Sequence, residues 1–118
     1  MSIQLERMTL AATDVEAMLA FYNTVFETGF EALPDKPLYI GAIGGTEAIL
    51  CPNSIAQVDA NQCRIQLRLR VSDVEGMLEK VKANGGTLLG DTANENARII
   101  SVRDPDGNSI EMIEWFGM

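Results

Sequence analysis

The spacing of apolar and polar positions changes along the first part of the chain, and each change predicts a structural element. Residues 3–12 alternate between two faces, as a strand does. In residues 15–26 the apolar side chains instead recur at steps of three and four, which predicts a helix with one buried stripe. Thr13 and Glu16 have capping-box spacing at its start, and Gly29 suits the turn after its end.

Short apolar runs separated by proline and glycine follow this helix. The pattern is typical of short antiparallel strands joined by tight turns, and it is clearest in residues 38–43 and 46–51. Residues 53–62 are polar and irregular, so we expect them to link two halves of the chain.

The second half repeats the first. Residues 64–71 alternate strictly between polar and apolar, which predicts a strand. Ser72 and Glu75 have the same capping-box spacing before a second helix, which Gly85-Gly86 closes. Five residues of the first half recur 59 positions later, from Asp14 to Asp73: Asp14, Val15, Glu16, Met18 and Leu19 match Asp73, Val74, Glu75, Met77 and Leu78.

Such a match predicts an internal duplication. Each half has the pattern of a strand, a helix and a set of short strands, and neither half alone buries both its helix stripe and its sheet face. The expected fold is therefore α+β, a single domain made of two βαβββ modules at about residues 3–56 and 63–116.

The last part of the chain places one carboxylate in the middle of a strand. Its predicted elements are a strand at 87–89, a polar turn at 91–96, a strand at 98–103, a type I turn at 104–107 and a strand at 109–115. Alternation puts Glu111 on the same face as Ser109, Ile113 and Trp115. Glu111 either faces solvent or lines a cavity, and the strand pattern alone allows both.

Composition limits the class of protein. The 118 residues are 47% apolar and 22% charged, which is typical of a soluble globular domain. The net charge of −8 disfavours nucleic acid as a partner, since such binding depends on cationic contacts to phosphate. It either attracts a cationic small molecule or only keeps the protein soluble. Without an apolar run of about 20 residues or a signal-peptide pattern, we expect a cytoplasmic protein.

The chain contains no histidine, which removes several classes of site. A histidine metal site, a Ser-His-Asp triad and a Cys-His nucleophile pair cannot be built from it. Cys51 and Cys63 do not have zinc-site spacing, and we expect both to be free thiols.

Several of these motifs together resemble the vicinal oxygen chelate superfamily, which includes glyoxalase I, bleomycin-resistance and fosfomycin-resistance proteins, methylmalonyl-CoA epimerase and extradiol dioxygenases. The resemblance spans about residues 5–115. It rests on the strands that end in Thr13-Asp14 and Ser72-Asp73, on Phe21-Tyr22, on Gly85-Gly86 and on the terminal Asp104-Pro-Asp-Gly-Asn-x-Ile-Glu111. It implies a curved mixed sheet around a groove, with the helices outside, and a function either as a metal enzyme or as a metal-free binder.

The resemblance also implies where a divalent ion would be held. Metal enzymes of the superfamily place ligands, usually histidine or glutamate, on the first and last strands of each half. Those positions carry Arg7 and Gln66 on the first strands, Ile49 with Glu47 two residues earlier, and Glu111. Only Glu111 matches, so we expect no metal cofactor and predict that Arg7 and Glu111 face each other where the ion would lie.

The predicted function is metal-free binding of a small molecule, cationic or polar and aromatic, in the manner of the bleomycin-resistance proteins. The predicted groove is lined by Arg7, Glu47, Ile49, Gln66, Arg68, Glu111 and Trp115. One alternative is a divalent-metal-dependent lyase, isomerase or dioxygenase that uses Glu111 as a general base or ligand. Another is a regulatory or assembly module without a ligand. We expect the protein to be a homodimer.

Two further features allow two readings each. Arg64, Arg68 and Arg70 form a cationic stripe that either binds a carboxylate or phosphate group or is solvated. Trp115 is either a wall of the ligand site or a dimer contact, whereas Tyr22 lies on the predicted buried stripe and belongs to the core.

Overall fold

The computed structural model describes residues 2, 4–57 and 65–117. The chain divides into two compact units, residues 1–59 and 60–118, which we call module 1 and module 2. Each module contains one βαβββ unit, so the predicted α+β fold of two such modules is confirmed. That they form a single domain around a groove stays a prediction.

Module 1 is a four-stranded mixed sheet with one long helix. Its elements are β1 (Arg7–Ala12), α1 (Val15–Val25), β2 (Glu31–Ala32), β3 (Tyr39–Ile43), β4 (Thr46–Pro52) and α2 (Asn53–Ala56). The strand order is β1-β4-β3-β2, in which β1 runs parallel to β4 and the other pairs are antiparallel.

Module 2 has the same topology. Its elements are β5 (Leu67–Arg70), α3 (Val74–Ala83), β6 (Thr87–Ala93), β7 (Ala97–Arg103) and β8 (Ser109–Trp115). The strand order is β5-β8-β7-β6, with β5 parallel to β8 and the other pairs antiparallel. In both modules the first strand therefore pairs with the last, as expected for a duplicated unit.

Each module packs its helix against one face of its sheet. The buried side chains of α1 are Met18, Phe21, Tyr22 and Val25, and those of α3 are Val74, Leu78 and Val81. Tyr22 is a core residue, as predicted. Facing strand residues are also buried: Ala48 and Leu50 in module 1, and Ile100, Val102, Ile110 and Met112 in module 2. None of the helices within the described ranges is long and apolar enough to span a membrane.

The helix caps lie one residue later than the sequence predicted. Asp14 Oδ1 accepts a hydrogen bond from Ala17 N at 3.1 Å, and Asp73 Oδ1 accepts one from Gly76 N at 3.0 Å. Thr13 instead accepts from the Asn53 side-chain amide at 2.9 Å. Aspartate caps a helix as well as serine or threonine does, so two adjacent capping residues leave the start ambiguous by one position.

Asn23 fixes the segment that follows α1. Its Oδ1 accepts hydrogen bonds from Thr28 Oγ1 at 2.8 Å and Phe30 N at 2.7 Å, and its Nδ2 donates to Phe30 O. The Thr28 carbonyl in turn accepts from Ala42 N at 2.9 Å. This close approach needs glycine at the neighbouring position 41, because a Cβ on Gly41 would lie 2.5 Å from the Thr28 carbonyl oxygen.

One prediction about the loops was wrong, at residues 91–96. The expected linker at 53–62 begins with the short helix α2 and contains the boundary between the two units, and residues 58–64, including Cys63 and Arg64, lie outside the described part of the chain. The expected polar turn at 91–96 is instead the end of β6 as far as Ala93. Arg98 on β7 holds Asp91 in this strand through two hydrogen bonds of 2.8 and 3.1 Å.

The strand that carries Glu111 has the predicted bounds, 109–115. The turn before it is also confirmed, since Gly107 N donates to Asp104 O at 2.9 Å. Asp104 is only 3% exposed, and its carboxylate accepts from Asp106 N, Asn108 N and Asn108 Nδ2 at 2.8–3.0 Å. This turn therefore fixes the start of β8.

Candidate functional site

Each sheet has a second face, on the side opposite the buried positions listed above, which we call the open face of that module. On the open face of module 1, the β1 residues Arg7 and Thr9 lie beside the β4 residues Glu47 and Ile49 in register. Arg7 Nη1 is 3.5 Å from Glu47 Oε2, and both side chains are nearly half exposed. The only carboxylate contributed by β4 thus already has a cationic partner on β1.

The open face of module 2 contains a shorter ion pair. Arg68 on β5 lies opposite Glu111 on β8, and Arg68 Nε donates to Glu111 Oε1 at 3.0 Å. The Arg68 side chain is 51% exposed and that of Glu111 is 24% exposed. One step along the sheet, Gln66 Nε2 donates to Ser109 Oγ at 2.6 Å. Three of the predicted site residues are therefore neighbours.

The third strand of module 2 adds two polar side chains that the sequence did not assign to the site. Ser101 on β7 is in register with Glu111, and Arg103 is in register with Ser109. Both therefore lie on the open face next to β8. Alternation along the predicted strand at 98–103 placed Ser101 and Arg103 on one face, but only the pairing of β7 with β8 shows which face that is.

Trp115 marks the other end of β8. It borders a cavity of about 380 Å³ that is also lined by Arg70, Val71, Ser72 and Glu114. Glu114 Oε1 accepts from Val74 N at 2.9 Å, so this carboxylate is tied to the start of α3. The indole is 37% exposed and can therefore contact a ligand.

Ile49 borders a second cavity, in module 1. This space of about 280 Å³ is lined by Thr9, Leu38, Ile49, Cys51, Ile55 and Ala56. Cys51 is a free thiol, as predicted, and burial raises its pKa. A thiol that is buried and protonated is a poor nucleophile, so the cavity offers shape and apolar contact rather than reactivity.

The structure therefore groups the predicted residues by module. Arg7, Glu47 and Ile49 share the open face of module 1, and Gln66, Arg68 and Glu111 share that of module 2, with Trp115 at its end. The pairing of Arg7 with Glu111 joins residues of different modules and stays a prediction. Within its own module each of them has an ion-pair partner.

A family model for the glyoxalase-like domain matches residues 7–113 of the chain. The chain belongs to the glyoxalase-like domain family. This membership, together with the fold, confirms the predicted place in the vicinal oxygen chelate superfamily. No curated protein is similar enough to the glyoxalase-like chain to count as a relative.

Solved structures share the fold of this glyoxalase-like protein at low sequence identity. A hypothetical protein from S. aureus is 21% identical with a TM-score of 0.78, over 96% of this chain and 94% of that one. The fosfomycin resistance protein FosX from Listeria monocytogenes is 17% identical with a TM-score of 0.78, over 97% and 92%. A glyoxalase/bleomycin resistance protein from Albidiferax ferrireducens T118 is 18% identical with a TM-score of 0.72, over 93% and 97%. At these identities the likeness shows the fold alone.

The residues at the four strand positions do not fit a divalent ion. Such an ion prefers several oxygen or imidazole donors, whereas Arg7 is cationic and Ile49 is apolar. The two carboxylates nearby, Glu47 and Glu111, are each engaged by an arginine. Within residues 4–57 and 65–117, no three side chains of His, Cys, Asp or Glu form a metal-binding cluster. We therefore derive no metal-dependent step for this protein.

Proposed function

We propose that this glyoxalase-like protein binds a small organic molecule on the open faces of its sheets without a metal ion. The observation that carries the proposal is the Arg68–Glu111 pair, in which a guanidinium lies against the one carboxylate that matches the family's ligand pattern. An arginine supplies the positive charge that a metal would supply, and it also donates directional hydrogen bonds.

The polar open face of module 2 supports a binding role over a purely structural one. Exposed ion pairs contribute at most about 1 kcal/mol to folding, so fold stability alone gives little reason for such a cluster. Two short hydrogen bonds, from Gln66 to Ser109 and from Arg68 to Glu111, fix these side chains before a ligand arrives. Binding requires no nucleophile or general base, and the cluster offers no activated one.

Bleomycin and fosfomycin are the first probes, because structures with this fold are named as resistance proteins for them. A fragment panel with equal numbers of anionic, cationic and neutral aromatic compounds extends the search. Binding is followed by calorimetry and by ¹⁵N NMR of the arginine and tryptophan side chains, with a chelator present throughout.

The proposal predicts at least one compound that binds in chelator and shifts the signals of Arg68 or Trp115. In Glu111→Gln this binding weakens, whereas Glu79→Gln, on the exposed part of α3, leaves it unchanged. Binding or turnover that requires added Mn²⁺ and disappears in Glu111→Gln would instead favour the metal-dependent enzyme.

A further inference from the structure

The negative charge of the chain is not evenly shared between the modules. Residues 1–59 contain two basic and eight acidic side chains, whereas residues 60–118 contain seven basic and nine acidic ones. The expectation of a cationic ligand rested on the net charge of the whole chain. The charge of the surface that the ligand touches matters more, because exposed charges beyond about 10 Å are screened at physiological salt.

The open face of module 2 is locally positive. Its strands place three arginines there, Arg68, Arg70 and Arg103, against one carboxylate, Glu111. The other charged strand residues, Asp91, Arg98 and Glu114, occupy the alternate positions on the α3 side. Within the described residues, Arg70 and Arg103 have no carboxylate at ion-pair distance.

Glu111 orients Arg68 without using up its donors. The hydrogen bond to Glu111 comes from Nε, so both terminal nitrogens of the guanidinium are left for another acceptor. The Arg68 side chain is 51% exposed. A guanidinium that is already held in place loses less conformational entropy when it binds an oxyanion.

Strand pairing places Arg103 on the opposite side of β8 from Arg68. Arg68 and Arg103 flank β8 from β5 and β7, so two strand spacings of about 4.8 Å separate them across the sheet. Both side chains are long enough to reach over β8, and Ser109 on β8 and Ser101 on β7 add hydroxyl groups. Two cations and two hydroxyls around one point suit a carboxylate or a phosphonate.

The next positions along the strands are apolar. Ile113 and Ile99 follow Glu111 and Ser101 on the same face, and Trp115 with its cavity follows Ile113. Ile113 is only 3% exposed and Trp115 is 37% exposed. Two residues along a strand cover about 6.6 Å, so a ring attached to an oxyanion at Arg68 lies at the level of Ile113 and extends towards Trp115. Over the length of a small aromatic acid, the face thus adds the exposed indole of Trp115 to the arginines, with Arg70 opposite Ile113.

We propose that the open face of module 2 binds small organic oxyanions, with Arg68 and Arg103 on the carboxylate or phosphonate and with Trp115 beside the apolar part. This inference rests on the proposed metal-free binding and specifies its ligand class. Glu111 is then a positioning residue that acts through Arg68.

The test compares four probes with one aromatic ring each: benzoate, phenylphosphonate, benzyl alcohol and benzylammonium. Affinities are measured with chelator by ¹⁵N NMR, following Arg68 Nε–H, Arg103 Nε–H and the Trp115 indole N–H. We expect both anions to bind at least about tenfold more tightly than benzyl alcohol, with benzylammonium weakest, and to shift all three signals.

Variants distinguish anion binding at this site from general electrostatic attraction to the protein. Arg103→Gln should weaken phenylphosphonate binding about tenfold and leave benzyl alcohol unchanged, whereas the matched charge loss Lys82→Gln on α3 should change neither by more than about twofold. Glu111→Gln keeps an acceptor for Arg68 and should weaken the anions less than Arg68→Gln does. The amide spectrum of each variant confirms that it is folded.

Several results would overturn the inference. They are equal or tighter binding of benzylammonium, shifts confined to other residues, no binding of either anion, or an Arg103→Gln variant that binds as well as the parent. Neutral or cationic probes that bind at this face in chelator would leave the proposed function standing. Anion binding that appears only with added metal would contradict the proposed function itself.

Discussion

Arg68 and Glu111 lie opposite each other on the parallel strands β5 and β8, and the guanidinium Nε is 3.0 Å from the carboxylate oxygen. Arg7 and Glu47 have the equivalent relationship on β1 and β4, at 3.5 Å. In both modules an arginine on the first strand therefore neutralises a glutamate on the last strand. Glu111, the residue most suited to hold a cation, is already occupied by one from the chain.

The two ion pairs should differ in strength. The Arg68–Glu111 pair is shorter and its carboxylate is less exposed, so we expect a coupling energy of about 0.5–1 kcal/mol, against less than about 0.5 kcal/mol for Arg7–Glu47. Double-mutant cycles with glutamine at each position, read from urea unfolding, measure both couplings. A larger coupling for Arg7–Glu47 would contradict this ranking.

Much of the fold follows from local sequence patterns. The bounds of β8 were predicted because a strong turn precedes a strand of largely alternating polar and apolar residues, and the two helices followed from their apolar periodicity. The end of β6 was missed because Asp91 is polar and belongs to a strand through its pairing with Ile100 and its contact with Arg98, both on β7. No local pattern carries such a contact.

The composition of the site followed from the sequence only in part. Alternation and resemblance selected Arg68 and Glu111, but their contact depends on the register of β5 with β8, which is a tertiary property. Arg103 was missed for the same reason. The sequence shows which strand residues share a face, and the pairing of strands decides which faces meet.

Gly41 should be intolerant of a side chain. Asn23 holds residues 28 and 30, so the Thr28 carbonyl cannot withdraw from a new Cβ at position 41. We expect Gly41→Ala to lower the free energy of unfolding by about 1–3 kcal/mol. Gly90→Ala is the matched control in a strand, because its Cβ would meet nothing within 4 Å, and it should change stability by less than about 0.5 kcal/mol. Equal effects in chemical denaturation would refute the close-packing explanation.

Asp104 should stabilise the turn before β8 through its acceptor atoms. Asp104→Ala leaves Asp106 N, Asn108 N and Asn108 Nδ2 without this acceptor in a buried setting, so we expect a loss of about 2 kcal/mol or more. Asp104→Asn retains an oxygen for the two backbone amides and should lose less. Thermal unfolding of the two variants compares them, and an alanine variant as stable as the asparagine variant would exclude this role.

Acid sensitivity should depend on Asp91. The hydrogen bond from Arg98 is the main cause that lowers the pKa of the Asp91 carboxyl in the folded protein. A lowered folded-state pKa contributes stability above the pKa of the unfolded chain, and that contribution is lost as pH falls through the folded-state value. As the pH is lowered from about 6 to about 2, the urea midpoint of Asp91→Asn should therefore fall less than that of the parent.

Arg98→Gln tests the same interaction from its other side. This variant removes the hydrogen bond that lowers the Asp91 pKa, so its urea midpoint should also fall less at acid pH than that of the parent. Glu75 also contacts Arg98, so Glu75→Gln is the control. This variant should keep most of the fall in the urea midpoint that depends on Asp91. An equal fall of the urea midpoint at acid pH in the parent and in Asp91→Asn would contradict this role of Asp91.

Arg68 takes the place of a metal ion at Glu111 in the proposed function. Elemental analysis of the purified protein, combined with a thermal-shift titration of Mn²⁺, Zn²⁺ and Mg²⁺, tests this, since an ion that binds the native state raises its apparent stability. We expect no stoichiometric metal and no saturable shift. One equivalent of metal, or a saturable shift that is absent in Glu111→Gln, would contradict it.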